Sequence, residues 1–197
     1  HGRGLLRAAV LVPWAIPTAI TAKLWAFLFS EQGIVNSIFH AHVAWQTDPW
    51  AARFSIILAD VWKTTPFMAL LILAGLQMIP KDLYEAARMD GANAWQRFTR
   101  ITLPLAKNSI IVAVLFRMLD ALRMYDLPYI MVGPNPDSPT ATLSQLVVAA
   151  IRQDHVNAAS ALSTLIFLLI FLIALCFVKS LGSKVAHQAE PVVAEEE

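Results

Sequence analysis

Charged side chains set inside long apolar runs are the first chemistry this sequence offers. Arg117, Asp120, Arg123 and Asp126 recur every three residues within the stretch 105–132, and Asp60 and Lys63 stand three apart within 54–79. A charge at the centre of a membrane helix costs about 2.5–3.5 kcal/mol on insertion scales, so such groups face a water-filled path or one another. On a continuous helix a three-residue repeat puts the later four on one slowly winding face, with Tyr125 beside them. Two readings stand. The carboxylates and Tyr125 line a pathway and meet a hydroxylated solute, or the opposite charges pair within and between helices to hold them together.

Other chemistries have little support. No Gly-rich loop ends in Gly-Lys-Ser or Gly-Lys-Thr, so the sequence offers no P-loop for ATP. Neither a His-Glu-x-x-His zinc pattern nor a Gly-x-Ser-x-Gly elbow is present, which disfavours an intramembrane enzyme. His40 and His42 form a His-x-His pair, a weak metal signal by itself. Trp45 and Trp50 nearby suit a membrane–water interface. Cys176 is the single cysteine and reads as a small apolar filler; it allows no intrachain disulfide.

The elements that must position these groups are membrane helices. Apolar residues make up 57% of the 197, charged residues 15%, and the mean hydropathy is +0.58. Soluble domains carry about 25% charged residues. A net charge of +1 gives no strong pull on nucleic acid. A spanning helix needs about 20 mostly apolar residues, and four segments qualify: 5–29, 54–79, 105–132 and 156–178. Pro13, Pro17 and Pro66 fall inside them as potential kinks. The expected architecture is all-α, a polytopic helical bundle over residues 1–185. A polar, acidic tail at 186–197 is expected to be disordered. The first residue is His1, and the chain reads as the C-terminal part of a longer protein.

Basic residues orient the helices. Arg3, Arg7, Lys81, Arg88, Arg97, Arg100, Lys107, Lys179 and Lys184 fall on one side, and only Arg53 and Arg152 on the other. The basic side is expected to be cytoplasmic, with 30–53 and 133–155 facing outward. Gly133-Pro134-Asn135-Pro136-Asp137-Ser138-Pro139 cannot continue a helix. After it, Leu143, Leu146, Val147 and Ile151 predict a short amphipathic helix within 140–153.

The basic-side connection, 80–104, is too long for a simple hairpin. Pro80 and Asp82 suit a helix start, and Leu83 to Met89 are mostly good helix formers. Gly91 supplies a stop, and a second short helix over 94–100 is expected to end before Pro104. Read from its residues alone, this is an amphipathic pair of helices at the membrane surface or a docking element.

The string Glu85-Ala86-Ala87-Arg88-Met89-Asp90-Gly91-Ala92, followed by Trp95, Phe98, Ile101, Leu103 and Pro104, resembles the EAA signature of ABC importer permeases. The resemblance extends to Leu11-Val12-Pro13, Trp25, Phe27, Gly33-Ile34-Val35-Asn36 and Leu73-Ala74-Gly75-Leu76-Gln77, and covers nearly everything up to about residue 180. It is nearest to the sugar-type permeases of maltose and trehalose importers, among them the first permease subunit of actinobacterial trehalose systems.

That resemblance implies a six-helix family core, of which four spanning helices stand here, and a cytoplasmic coupling helix seated in a cleft of an ATPase subunit. Glu85, Ala86, Ala87, Asp90, Gly91, Ala92, Phe98, Ile101, Leu103 and Pro104 would form the coupling surface. Small alanines allow close approach, Gly91 the bend, and Glu85 and Asp90 charge-assisted contacts. Phe98 and Ile101 would anchor the element to the permease's own helices. The resemblance further implies a substrate pathway at Asp60, Thr64, Thr65 and Phe67, and on the later helix Asp120, Arg123 and Met124, with Tyr125 alongside. The implied partners are a second permease subunit, two copies of the ATPase, an external solute-binding protein and membrane lipid, in the plasma or inner membrane of a bacterium. The chain itself would bind no cofactor; ATP and magnesium belong to the ATPase. Two departures stand out. Val132-Gly133-Pro134 replaces the Gly-Gly-Pro turn common in sugar permeases, and the amides of a maltose site are not kept. Polyamine and phosphate importers share the EAA signature, so a non-sugar solute stays open, as does a channel without ATP coupling.

Overall fold

The computed structural model describes residues 3–135 and 137–186, with side chains from 9 to 179 except at 136. The described residues form helices and no strands. In order these are α1 (Arg3–Ala15), α2 (Thr18–Leu28), α3 (Ile34–Phe39), α4 (Pro49–Gln77), α5 (Lys81–Met89), α6 (Ala94–Arg97), a π-helical turn (Phe98–Thr102), α7 (Leu103–Leu122), α8 (Asp126–Val132), α9 (Leu143–Arg152) and α10 (Val156–Ala186). Of the expected tail, Ala186 closes α10 and 187–197 lie outside the described residues. Contacts divide the chain into two compact units, His1–Leu71 with Asp120–Ser163 and Ile72–Leu119 with Thr164–Glu197.

Among the described residues, three helices are long and apolar enough to cross a membrane: Pro49–Gln77, Ala94–Leu122 and Val156–Lys179. A 29-residue helix rises about 44 Å at ~1.5 Å per residue, more than the ~30 Å hydrocarbon layer. The apolar window of Val156–Lys179 buries none of its residues against this chain, so its surface is left to lipid or to other helices. A fourth span is reached if one bent pair is counted.

That pair corrects the first expected span. Residues 5–29 are not one helix; Ala9–Ala15 and Thr18–Leu28 meet at 99°. Pro17 has no N–H to bond back and adopts extended geometry, φ −52° and ψ 137°, as the residue before α2. Pro13 and Pro66, by contrast, stay inside α1 and α4.

The third expected span, 105–132, is corrected at both ends. The helix stops at Leu122, and a new one begins at Asp126. Pro128 explains the break. In a continuous helix its ring would strike the carbonyl of Met124, and it has no N–H; in the first turn of α8 neither matters. Arg117, Asp120, Arg123 and Asp126 therefore do not share one helix face. At the other end α6 runs through the π-helical turn into α7, so the second short helix does not end before Pro104. Leu103 N–H bonds the Phe98 carbonyl, five residues back. This widened turn relieves the crowding that Pro104 imposes on the carbonyl four residues earlier.

The first unit has a core where α2, α4 and α8 meet: Ala22, Phe29, Ile56, Ala59, Leu127 and Met131. Trp45 joins it. Its ring lies 4.9 Å from Phe29 and its indole N–H donates to Asn36 Oδ1 at 2.7 Å. Trp50, by contrast, is exposed and carries the Arg53 guanidinium 5.0 Å from its ring. Asn36 is the hub of the 30–53 segment, donating to the carbonyls of Glu31 and Val43. A Cβ at Gly33 would overlap the carbonyls of Phe27 and Leu28, so only glycine lets α3 start there. Arg53 donates to the Pro139 carbonyl at 3.1 Å, joining the two segments expected to face outward. The amphipathic helix expected there is α9, opened by a capping box between Thr142 and Gln145.

Candidate functional site

The first candidate surface is the α5–α6 element. α5 ends in a Schellman arrangement: Ala92 N–H bonds the Ala87 carbonyl, and Gly91 N–H bonds that of Arg88. Gly91 carries φ +77°, the left-handed geometry that glycine adopts without strain. Asn93 then caps α6. Its Oδ1 accepts from Gln96 N–H at 2.9 Å, while Gln96 Oε1 accepts from Asn93 N–H at 2.8 Å. Arg97 Nη1 reaches back to the Ala92 carbonyl at 2.5 Å, and the Tyr84 and Thr102 hydroxyls join at 3.0 Å. The result is a braced V of two short helices.

The outer surface of that V is open. Glu85, Ala86, Asp90 and Gly91 are exposed, and Ala87 and Ala92 are half-buried. Met89 is 89% exposed and Trp95 70%, a large apolar area with no cover from this chain. Phe98 is also exposed, its ring 5.8 Å from Trp95, while Ile101 is half-buried and Leu103 and Pro104 lie exposed at the start of α7. Reading the residues alone missed the braces Tyr84, Asn93, Gln96, Arg97 and Thr102. The Asn-x-x-Gln capping pattern was the available signal.

The second candidate lies in the other unit, in a cavity of about 190 Å³. It gathers Asp60, Thr64, Asp120, Arg123, Met124 and Tyr125, six of the eight expected pathway residues. Thr65 and Phe67 lie elsewhere: Thr65 Oγ1 bonds the Val61 carbonyl, and Phe67 stacks on Trp14 at 5.8 Å. Thr18, Lys63 and Asp126 also line the cavity, giving three carboxylates and two cations. Asp120 and Asp60 both act electrostatically on Lys63.

Both helix breaks feed this cavity. Lys63 Nζ donates to the Ile16 carbonyl at 2.6 Å, the group that the Pro17 bend leaves without a helical partner. Thr142 Oγ1 donates to the Met124 carbonyl at 2.7 Å, satisfying the break before α8. Irregular backbone at membrane depth is tolerated where it lines a cavity and its carbonyls are satisfied in this way. The Thr64 hydroxyl donates to the Asp60 carbonyl at 2.7 Å, leaving its lone pairs for a hydroxyl donor. The cavity therefore mixes donors and acceptors, as a polyhydroxylated solute requires.

Among known proteins, the chain is 45% identical over 183 residues to the trehalose/maltose transport system permease protein MalF of Thermococcus litoralis, covering 90% of this chain and 62% of that one. It is 39% identical over 184 residues to the trehalose transport system permease protein SugA of Mycobacterium tuberculosis, covering 92% and 59%. It thus spans about 60% of the length of these relatives. A crystal structure of a bacterial ABC transporter involved in the import of the acidic polysaccharide alginate superposes with a TM-score of 0.81 at 25% identity, over 93% of this chain and 68% of that one. Residues 2–187 match the family model for the binding-protein-dependent transport system inner membrane component. The chain belongs to that family.

Proposed function

We propose that this chain is the membrane-spanning part of a subunit of an ATP-driven, binding-protein-dependent sugar importer, with a disaccharide such as trehalose or maltose as its cargo. The observation that carries the reading is the polar cavity of Asp60, Thr64, Asp120, Arg123 and Tyr125 within helices that are otherwise apolar. The relatives' trehalose and maltose transport supports the sugar class. Three carboxylates against two cations suit a neutral polyol better than a polyamine or phosphate, since the mixed signs offer both donors and acceptors.

The exposed V of α5 and α6 is the element that enters the ATPase cleft, through Glu85, Ala86, Ala87, Asp90, Gly91, Ala92, Phe98, Ile101, Leu103 and Pro104. The partners are a second permease subunit, two ATPase copies and an external solute-binding protein. This chain performs no hydrolysis; ATP and magnesium act on the ATPase, and closure of its dimer moves the V and switches the access of the cavity. The test is uptake by the reconstituted complex. Radiolabelled trehalose or maltose is expected to enter with ATP, while spermidine and phosphate do not. Glu85→Ala and Gly91→Val are expected to leave membrane insertion normal and to disconnect ATP hydrolysis from uptake. Sugar uptake at the wild-type ratio to ATP in both variants would remove the coupling assignment.

A further inference from the structure

A second cavity lies beneath α9, with a volume of about 150 Å³. An apolar cavity of that size takes benzene, the footprint of one six-membered ring without substituents. Its chemistry differs from that of the cavity at Asp60. Arg152 is the one charged residue in its lining, and Tyr125, Tyr129, Pro134 and Gln145 add polar groups and ring faces. Tyr125 lines both cavities.

Gln145 points to a ligand. It is 7% exposed, and its side-chain nitrogen has no hydrogen-bond partner. The assignment of that nitrogen is firm, because Gln145 Oε1 accepts from the Thr142 N–H at 3.1 Å, which only an oxygen can do. A buried unmet amide donor is destabilising, a cost removed when an acceptor enters. Close by, Arg152 Nη1 donates to the Tyr129 hydroxyl at 2.8 Å, with the guanidinium 5.3 Å from the Tyr129 ring centre. Tyr129 stacks in turn on Tyr125 at 5.0 Å. Guanidinium, stacked phenols and orphan amide make a rigid, donor-rich wall. No carboxylate lines the cavity, so no anionic side chain there competes with the ligand for these donors.

We propose that this cavity is a second sugar subsite, binding one pyranose ring through hydroxyl oxygens that accept from Gln145 and Arg152. It rests on the sugar-import reading above and adds a binding step that the Asp60 cavity does not supply. Because Tyr125 borders both cavities, a ring held here is adjacent to the pathway residues, and this subsite sets affinity for the incoming sugar.

The test uses the complete reconstituted importer and radiolabelled trehalose, with two variants that leave the Asp60 cavity intact. Gln145→Glu keeps the oxygen that caps α9 and removes the donor. Ala149→Leu fills the cavity without touching its polar groups. Both are expected to raise KM for uptake about tenfold, the worth of roughly one hydrogen bond to the ligand, with basal ATP hydrolysis unchanged. A purely structural role for the cavity would shift the melting temperature and leave KM alone. Wild-type KM in both variants, with the wild type importing trehalose, overturns the subsite and leaves the sugar reading standing. A wild-type complex that imports phosphate or spermidine and no sugar overturns both.

Discussion

Lys63 has a structural duty that its place in the cavity would otherwise hide. Its ammonium closes the carbonyl of Ile16 at 2.6 Å, in a bend that must sit among membrane helices. Lys63→Met is therefore expected to destabilise the complex by about 1–3 kcal/mol, seen as a lower melting temperature in detergent. Asp60→Asn is expected to raise the KM for uptake about tenfold, read from radiolabelled sugar uptake by the reconstituted complex. At Gly91 a Cβ would find open space, but φ is +77°, so the penalty for Gly91→Ala is conformational, about 1–2 kcal/mol. Gly91→Asn is expected to cost less, because asparagine tolerates that region, and the order of the two in thermal melts checks the argument. Asp60 and the glycine stop could be read from residue types. Thr65 and Phe67 could not be placed so well. Thr65 lies about 140° around α4 from Asp60 at ~100° per residue, and Phe67, though on the Asp60 face, lies two turns further along.

At the scale of elements, local chemistry explains which boundaries were legible. The α5 stop, the α9 helix and the spans at Pro49–Gln77 and Val156–Lys179 follow from glycine, turn residues and apolar length. The Pro17 bend and the break at 123–125 were read as one helix each. Tolerance of proline depends on whether a neighbour takes the freed carbonyl, and those neighbours, Lys63 and Thr142, are distant in sequence. Thr18 was missed as a cavity residue for the same reason: the bend brings α2 beside α4. The capping box of α6 gives an element-scale test. Asn93→Ala is expected to cost about 1 kcal/mol, and hydrogen exchange at residues 94–97 should quicken while α5 keeps its protection.

For the molecule as a whole, the clearest expectation concerns sidedness. Arg53 bonded to Pro139 holds 30–53 and 133–155 together, and the charge bias assigns them to the outside, opposite Met89 and Trp95. In a Cys176→Ser background, Met89→Cys in whole cells should resist a membrane-impermeant maleimide and Ser138→Cys should react. The reverse pattern would invert the topology. The open apolar surfaces of the spanning helices were legible from composition. What covers them is not encoded in this chain's own packing, because the covering atoms lie outside this chain.

The π-helical turn at Phe98–Thr102 has a consequence for azimuth. It inserts the equivalent of one extra residue between the arm that carries Trp95 and the helix that runs on to Leu122. One residue corresponds to about 100° of rotation. An unbroken α-helix of the same length would swing every side chain of α7 by about that angle relative to Trp95, whereas deleting Thr99 is expected to restore a regular α-helical ladder and leave α7 nearly in phase with Trp95. The turn thus works as a phase setter, fixing which side of α7 lies in line with Trp95.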